Sequence, residues 1–219
     1  IQYKHDEQNP NSLTGDYVRA IALTDDGKIV VGTLGSGISI YDPTTNNFNN
    51  FKHNPDDDTS LLNNRVDAVA VDDEGGIWLG TNKGLNYLPS QNEGFIHYLH
   101  DDNNSQSIIN NRIRSLMIDK FGDLWIGSWG GLNKLSVKNK NIQAMFSEQQ
   151  VENSLAGKNI MRLFEASNGA IWFGTPEHGG GWIERVNGKV NWLPLTQDIA
   201  KKKILSHPWV TGISQDFTG

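Results

Sequence analysis

Arginine and aromatic side chains carry the most promising binding chemistry in this sequence. A guanidinium group binds a planar anion through two parallel hydrogen bonds, and an aromatic ring offers a flat face on which a sugar ring can stack. Several such residues stand just before, or near the start of, runs of alternating apolar residues. If these runs are strands that begin at one opening, that opening would suit an anionic sugar or a carboxylate. The candidates are Tyr17, Arg19, Arg65, Arg112, Arg114 and Trp209.

The same arginines also have a structural interpretation. They could pair with nearby carboxylates such as Asp16 and Asp67 and tie neighbouring parts of the chain together. Ion pairs of this kind contribute little when they are exposed to solvent. The sequence alone leaves the binding and the structural interpretation open.

A second group of candidates lies in segments that differ between otherwise similar parts of the chain. Trp129 and Trp182 lie away from the tryptophan position that recurs in the sequence, so each is predicted to be a stacking platform for a sugar ring. The alternative is that each covers an exposed end of a sheet. Glu177 and His178 lie in the longest of these variable segments and are candidates for polar contacts, with simple solvation as the alternative.

No catalytic or metal-binding motif accompanies these residues. The sequence lacks G-x-S-x-G, G-x-x-x-x-G-K-[ST] and H-E-x-x-H. The acidic stretches at 56–58 and 101–102 lack the spacing of a calcium loop. His5, His53 and His100 are about 47 residues apart, so we expect them to lie far from one another. We therefore predict no catalytic residue, no metal and no cofactor in this segment.

An internal repeat determines which elements position the candidates. The segment 25–32 returns at 73–80, 120–127 and 167–174, with offsets of 48, 47 and 47 residues. A second marker, Ser followed by Leu or Ile, keeps the same offsets. It occurs at Ser12-Leu13, Ser60-Leu61, Ser107-Ile108 and Ser154-Leu155.

Each repeat contains four short runs of strand-forming residues separated by turn residues. A four-stranded antiparallel unit that recurs every 40 to 50 residues, with a tryptophan in its second strand, is typical of a β-propeller blade. Trp78, Trp125 and Trp172 take that position and should fill the space between neighbouring blades. Val30 replaces the tryptophan in the first repeat, where we expect looser packing.

These units predict an all-β fold, a single partial propeller over residues 1–219. It would have four complete four-stranded antiparallel blades and partial blades at both ends. We expect a piece of a larger propeller, of seven blades, arranged as an open arc; a closed five-bladed ring would contradict this. The predicted segments are an outer strand of a preceding blade at 1–6, blades at 17–54, 65–100, 112–147 and 159–195, and the start of a further blade at 209–219.

Composition excludes several classes of function. The chain has 219 residues and a formal net charge of −6, which disfavours a nucleic-acid binder that neutralises phosphates. No apolar run approaches the roughly 18 residues needed to cross a bilayer, so we expect no direct membrane contact in this segment. With no cysteine, the sequence contains neither disulfides nor thiolate metal sites, and its composition does not indicate a cellular compartment.

The pattern V-x-A-h-x-x-D-x-x-G-x-h-W-h-G-T-x-x-G-h, preceded by N-S-L, resembles the two-component regulator propeller family; 65–88 and 112–135 match best. The resemblance implies a periplasmic ligand sensor of a bacterial signal-transduction receptor, itself not an enzyme. The receptor would carry a histidine kinase or diguanylate cyclase module and would dimerise through domains that follow the propeller. The implied ligand is an oligosaccharide or another small molecule bound at the channel mouth.

Two other functions remain open from the sequence. The D-x-x-G-x-h-W segment is also similar to motifs of streptogramin lyases and sialidase-type propellers, and Trp172-Phe173 copies the W-F pair of the lyase motif. Against the lyase, the step of 47 to 48 residues is longer than expected for that family. A protein-interaction platform is the third possibility, because propellers are widely used in that way.

Overall fold

Four antiparallel sheets make up the structure, a computed structural model that describes residues 1–91, 94–145, 154–184, 190–193 and 209–216. Each sheet has four strands that pair in chain order, and no helix occurs among the described residues. The predicted all-β propeller blades are thereby confirmed. The strands are β1 (Val18–Leu23), β2 (Ile29–Thr33), β3 (Ile38–Asp42), β4 (Asn47–Phe51), β5 (Val66–Val71), β6 (Ile77–Thr81), β7 (Gly84–Leu88), β8 (Ile96–Tyr98), β9 (Ile113–Ile118), β10 (Asp123–Ser128), β11 (Gly131–Ser136), β12 (Ile142–Met145), β13 (Arg162–Glu165), β14 (Ile171–Gly174), β15 (Gly180–Ile183) and β16 (Val190–Trp192).

The turn between the first and second strands of each blade explains the repeated glycine. Gly27, Gly75, Gly122 and Gly169 all adopt φ between +77° and +83° in this turn. A side chain is strained in that conformation, so glycine is the residue that closes the turn at no steric cost. The carbonyl that precedes the turn accepts the glycine N–H, as from Gly75 to Asp72.

The blades stack side by side through their first strands, with β1 against β5, β5 against β9 and β9 against β13. Glycine in the second strand allows this approach: a Cβ atom at Gly80 would lie 2.5 Å from Cγ2 of Ile113 in the next blade. Among the described strands no comparable contact joins β1 to β13. Among the described strands, the first and fourth blades are therefore not packed on each other as consecutive blades are, and the open arc stays a prediction.

Apolar clusters fill the spaces between consecutive blades. Trp78 of the second blade has no exposed surface and packs with Leu124 and Ile126 of the third. Leu116 and Ile118 of β9 pack against the same cluster. The sequence prediction that the repeated tryptophan fills this space is thus confirmed for Trp78.

The motif D-x-x-G-x-x-W forms one hydrogen-bonded unit. Oδ2 of Asp72 accepts the indole N–H of Trp78 at 2.8 Å, and its Oδ1 accepts the backbone N–H of Gly76 at 2.7 Å. Asp119 and Trp125 repeat the side-chain bond at 2.7 Å. A buried donor without a partner would be costly, so the aspartate allows the indole to be buried.

The loops between blades are built by the histidine and the Ser-Leu marker. In His5, His53 and His100, Nδ1 donates to the carbonyl oxygen eight residues further on, at 2.7 Å in each case. Because a carbonyl only accepts, each of these rings carries a hydrogen on Nδ1. Oγ of Ser60 bridges the backbone N–H and C=O of Asn54 in the same loop. These residues therefore have a structural role in closing the loops.

The two ends of the described chain carry no assigned strand. Tyr3 packs on Tyr41 and Phe48 of the first blade, and Val210 lies against Gly174 of the fourth. The interpretation of 1–6 and 209–219 as parts of further blades stays a prediction, and 217–219 lie outside the described residues. Ile21 and Leu23 on β1 are 65% and 69% exposed, whereas their equivalents in β9 are packed against a neighbouring blade.

Candidate functional site

One buried carboxylate gathers three of the predicted arginines. Oδ1 of Asp67 accepts from Nε of Arg19 at 3.2 Å, and its Oδ2 accepts from Nε of Arg65 at 3.0 Å and from Nη1 of Arg114 at 2.6 Å. The Asp67 side chain is 2% exposed. The arginines are more open, at 40% for Arg19, 32% for Arg65 and 12% for Arg114.

The repeat explains why these groups meet. Arg19, Asp67 and Arg114 occupy one position of β1, β5 and β9, at offsets of 48 and 47 residues. First strands of neighbouring blades lie side by side, so equivalent side chains come together. The middle blade places a carboxylate between two guanidinium groups, and that alternation of charge joins three blades at one point.

Trp129 lies beside this cluster in the loop between β10 and β11. The guanidinium carbons of Arg112 and Arg114 lie 4.6 Å and 5.1 Å from the centre of the indole ring. The backbone N–H of Trp129 donates to the carbonyl of Arg112 at 3.1 Å and fixes the loop. The ring is 41% exposed, so it is partly accessible to a ligand.

The electrostatics of the cluster favour an added anion. Three guanidinium groups share a single carboxylate, and Nε of Arg114 is buried without a hydrogen-bond partner among the described residues. Burial lowers the pKa of Arg114, and the Asp67 charge opposes that effect. Because positive charge is in excess, an acidic oxygen that reaches the more exposed guanidinium groups of Arg19 and Arg65 gains charge-assisted hydrogen bonds.

The structural alternative for the arginines holds for Asp67 and fails for Asp16. Oδ1 of Asp16 accepts the backbone N–H of His5 at 2.8 Å, and Asn64 and Asn111 perform the same task for His53 and His100. Asp16 therefore belongs to the loop closure and does not serve as an arginine partner. The equivalence of position 16 with the asparagines at 64 and 111 was the sequence signal for this role.

Trp182 also packs within its own blade, and its part in binding a sugar ring stays a prediction. Trp182 pairs with Trp172 across β14 and β15, and their rings stack with centroids 5.2 Å apart. Tyr87 pairs and stacks in the same way with Trp78 in the second blade. Trp182 thus takes a regular packing position of the third strand. The repeat did not reveal this position because its residue type varies from blade to blade.

The other candidates lie outside the arginine cluster described above. Tyr17 and Trp209 are 78% and 64% exposed, at the loop positions equivalent to Arg65 and Arg112. Glu177 and His178 are exposed in the loop between β14 and β15. Oγ1 of Thr175 accepts the backbone N–H of His178 at 2.9 Å and closes that loop. Their part in binding stays a prediction.

The described ranges contain neither a metal-ligand group nor a membrane-spanning helix. No group of three or more His, Cys, Asp or Glu residues in them is arranged to hold a metal ion. None of the described segments forms a helix that is long and apolar enough to span a membrane.

Comparison with solved structures supports the propeller fold. An extracellular domain assigned to the hybrid two component system BT3049 of B. thetaiotaomicron is 23% identical, with a TM-score of 0.70 over 87% of this chain. The chain spans only 25% of that domain. An extracellular domain assigned to the one component system BT4673 of the same organism is 18% identical, with a TM-score of 0.54 over 95% of this chain and 34% of its own length.

An enzyme of the same fold is also similar. Virginiamycin B lyase from Staphylococcus aureus is 15% identical, with a TM-score of 0.63 over 86% of this chain and 59% of its own. No curated protein sequence matches the chain. At these identities the likeness of the solved structures shows the fold alone.

A sequence profile described as "Two component regulator propeller" matches residues 60–83, 107–130 and 154–177. Each match begins at the serine of the Ser-Leu marker and runs through the second strand of a blade into the loop that follows. The three matches are in register with the second, third and fourth blades. On this evidence the chain belongs to the two-component regulator propeller family.

Proposed function

We propose that this chain is the ligand-sensing, extracytoplasmic propeller module of a bacterial signal-transduction receptor. Its ligand is an oligosaccharide or another small molecule bound at the channel mouth. The observation that carries the proposal is the convergence of Arg19, Arg65 and Arg114 on Asp67, beside the partly exposed ring of Trp129. In this cluster three blades contribute charged side chains that meet at one carboxylate.

The family and its structural neighbours support the receptor part of the proposal. Two of the similar structures are extracellular domains assigned to two component and one component systems. Since the chain spans a quarter to a third of those domains, the receptor, its output module and a periplasmic location are inferred for the whole protein. A dimer formed through further domains belongs to the same proposal.

The geometry suggests how binding would act on the blades. A sugar ring would stack on Trp129, and an acidic oxygen would bind the more exposed guanidinium groups of Arg19 and Arg65. These three residues belong to the third, first and second blades, so a ligand that contacts all of them stabilises the stacking of three blades. Sensing then requires no chemical conversion of the ligand.

Thermal unfolding of the purified chain with a panel of neutral and uronate-containing oligosaccharides tests the proposal. We expect a rise in Tm with at least one oligosaccharide and loss of that rise in Trp129→Ala. The matched control is Phe121→Ala, which removes another exposed ring under a cation, at the opposite end of the third blade. A panel without any effect, or an equal loss in the control, would refute binding at this site.

The lyase alternative is weaker on the described residues. Asp67, the carboxylate at the centre of the cluster, is engaged by three guanidinium groups. Both of its oxygens accept hydrogen bonds from these groups and its side chain is 2% exposed, so it is not available to contact a substrate as a general base must. Chromatography of the oligosaccharide after long incubation with the chain distinguishes the two: we expect unchanged material, and product formation would favour an enzyme.

A further inference from the structure

The groove between neighbouring blades, away from the channel mouth, is filled differently from one pair of blades to the next. In the second blade Trp78 pairs with Tyr87 across β6 and β7, and the two rings stack 4.2 Å apart. The ammonium group of Lys140, from the third blade, lies 4.4 Å from the centre of the Tyr87 ring and 5.1 Å from that of Trp78. Two rings and a covering cation therefore fill the groove between the second and third blades.

The first blade has aliphatic residues, which are smaller than the aromatic residues of the second blade, at both ring positions. Val30 stands where the second blade has Trp78, and Ile40 pairs with it where the second blade has Tyr87. A cavity of about 530 Å³ lies between the first and second blades and is lined in part by Ile40. This size is within the range of pockets that hold small molecules. Val30 itself is buried in the apolar cluster between these blades and does not line the cavity, so the looser packing expected at this residue stays a prediction.

The lining of the cavity has an apolar floor and an acidic rim. Ile40, Phe51, Ile77 and Leu88 supply apolar surface from both blades. Lys28 is the one basic residue of the lining, and it is engaged by Asp26 at 2.6 Å. That pairing, with Thr24, lowers the pKa of Asp26 to about 2, so this carboxylate is charged at neutral pH. The acidic residues of the lining are Asp25, Asp26, Asp42, Asp73 and Glu74.

We propose that this cavity is a ligand site for a small organic ammonium ion with an aromatic body. The body would lie against Ile40, where the second blade has the Tyr87 ring, and the ammonium group would lie at the carboxylates of the rim. The next groove provides the internal precedent, since Lys140 and its partner rings place the same two chemical groups there. This site lies apart from the arginine cluster, so it stands independently of the proposed function.

Isothermal titration of the intact chain with three indoles of similar shape tests the proposal. Tryptamine carries the ammonium group, tryptophol is neutral, and indole-3-acetate is an anion. We expect measurable binding of tryptamine, at least tenfold weaker binding of tryptophol, and none of indole-3-acetate. Equal binding of all three, or no binding of tryptamine, would overturn the proposal.

Variants locate the binding. Ile40→Tyr should fill the cavity as Tyr87 does in the next blade and abolish tryptamine binding, while a circular dichroism melt verifies that the chain remains folded. Asp73→Asn combined with Glu74→Gln should weaken binding about tenfold and leave the cavity open. Asp58→Asn, an exposed carboxylate in a loop between blades, is the matched control. Unchanged affinity in both cavity variants, or an equal loss in the control, would refute this site.

Discussion

The second and fourth blades place a tryptophan at the same repeat position and support it differently. Trp78 has no exposed surface and donates to Asp72, whereas Trp172 is half-buried and the position equivalent to Asp72 is Ala166. Both rings stack on a partner from the third strand, Tyr87 in one blade and Trp182 in the other.

The difference separates two functions of the repeat motif. The turn glycine and the stacked partner are sufficient to position the ring, as the fourth blade shows. The aspartate is required when the indole N–H is cut off from water, because a buried donor must be satisfied. The motif therefore combines a backbone requirement and a burial requirement, which can be tested separately.

The largest expected effect comes from removing the buried ring. Trp78→Ala should lower the free energy of unfolding by about 3–5 kcal/mol, because it opens a large cavity and leaves Asp72 without its side-chain donor. Trp172→Ala should cost about half as much, since the ring is only half-buried and has no such acceptor in Ala166. Urea unfolding monitored by circular dichroism measures both, and equal losses would remove the distinction between the blades.

A smaller decrease in the free energy of unfolding is expected at alkaline pH. Burial, with the nearby Asp72 charge, raises the pKa of Tyr87 to about 12, above the value near 10 of an unfolded tyrosine. The unfolded chain therefore loses this proton first, so the contribution of Tyr87 is complete below pH 10 and is lost as the pH rises toward 12. The loss is on the order of 2 kcal/mol.

Unfolding in urea at pH 8 to 11 measures this loss over the accessible part of the range. Tyr87→Phe should flatten the alkaline decline. The remainder comes from other groups with a raised pKa, which are Tyr98 through burial, Tyr41 through its hydrogen bond with Tyr3 and Lys28 through its hydrogen bond with Asp26. Trp182, the equivalent in the fourth blade, does not titrate and contributes nothing to the decline. A decline unchanged in Tyr87→Phe would assign it to other groups.

The smallest expected effect is an increase in the free energy of unfolding. Ala166→Asp places in the fourth blade the acceptor that the second blade has, within reach of the Trp172 indole if the turn keeps its shape. We expect stabilisation of about 0.5–1 kcal/mol, small because the ring is partly open to water. The measurement is the urea midpoint, and Ala166→Asn serves as the uncharged comparison. A loss of stability would show that the fourth blade cannot accommodate the motif.

Much of the fold could be predicted because the repeat occurs four times within one chain. Register between copies identified the blades, the core tryptophans and the equivalent positions of Arg19, Asp67 and Arg114. The roles of Asp16 and Trp182 were missed because each occupies a regular position with an unusual residue type. Hydrogen bonds from loop backbone, as at Asp16, leave no apolar pattern that a sequence could show.

The candidate site was only partly predictable for a related reason. Sequence placed the arginines near one opening but could not show that Asp67 would be buried among three of them. That outcome depends on side chains from neighbouring blades reaching the same point, and periodicity within one blade carries no information about it. Val30 suggested only looser packing in the first blade, and neither the cavity between the first and second blades nor its acidic residues were predicted.

The closed loops between blades make the chain modular. The bonds of His53 to the carbonyl of Leu61, and of Ser60 to Asn54, lie within one loop, and Asn86 of the following blade holds the N–H of Leu62 at 2.8 Å. Each step of about 47 residues thus contains its own joint as well as its own sheet. Duplicating such a segment would add a blade together with the means of attaching it, so a propeller of this kind can grow without compensating changes elsewhere.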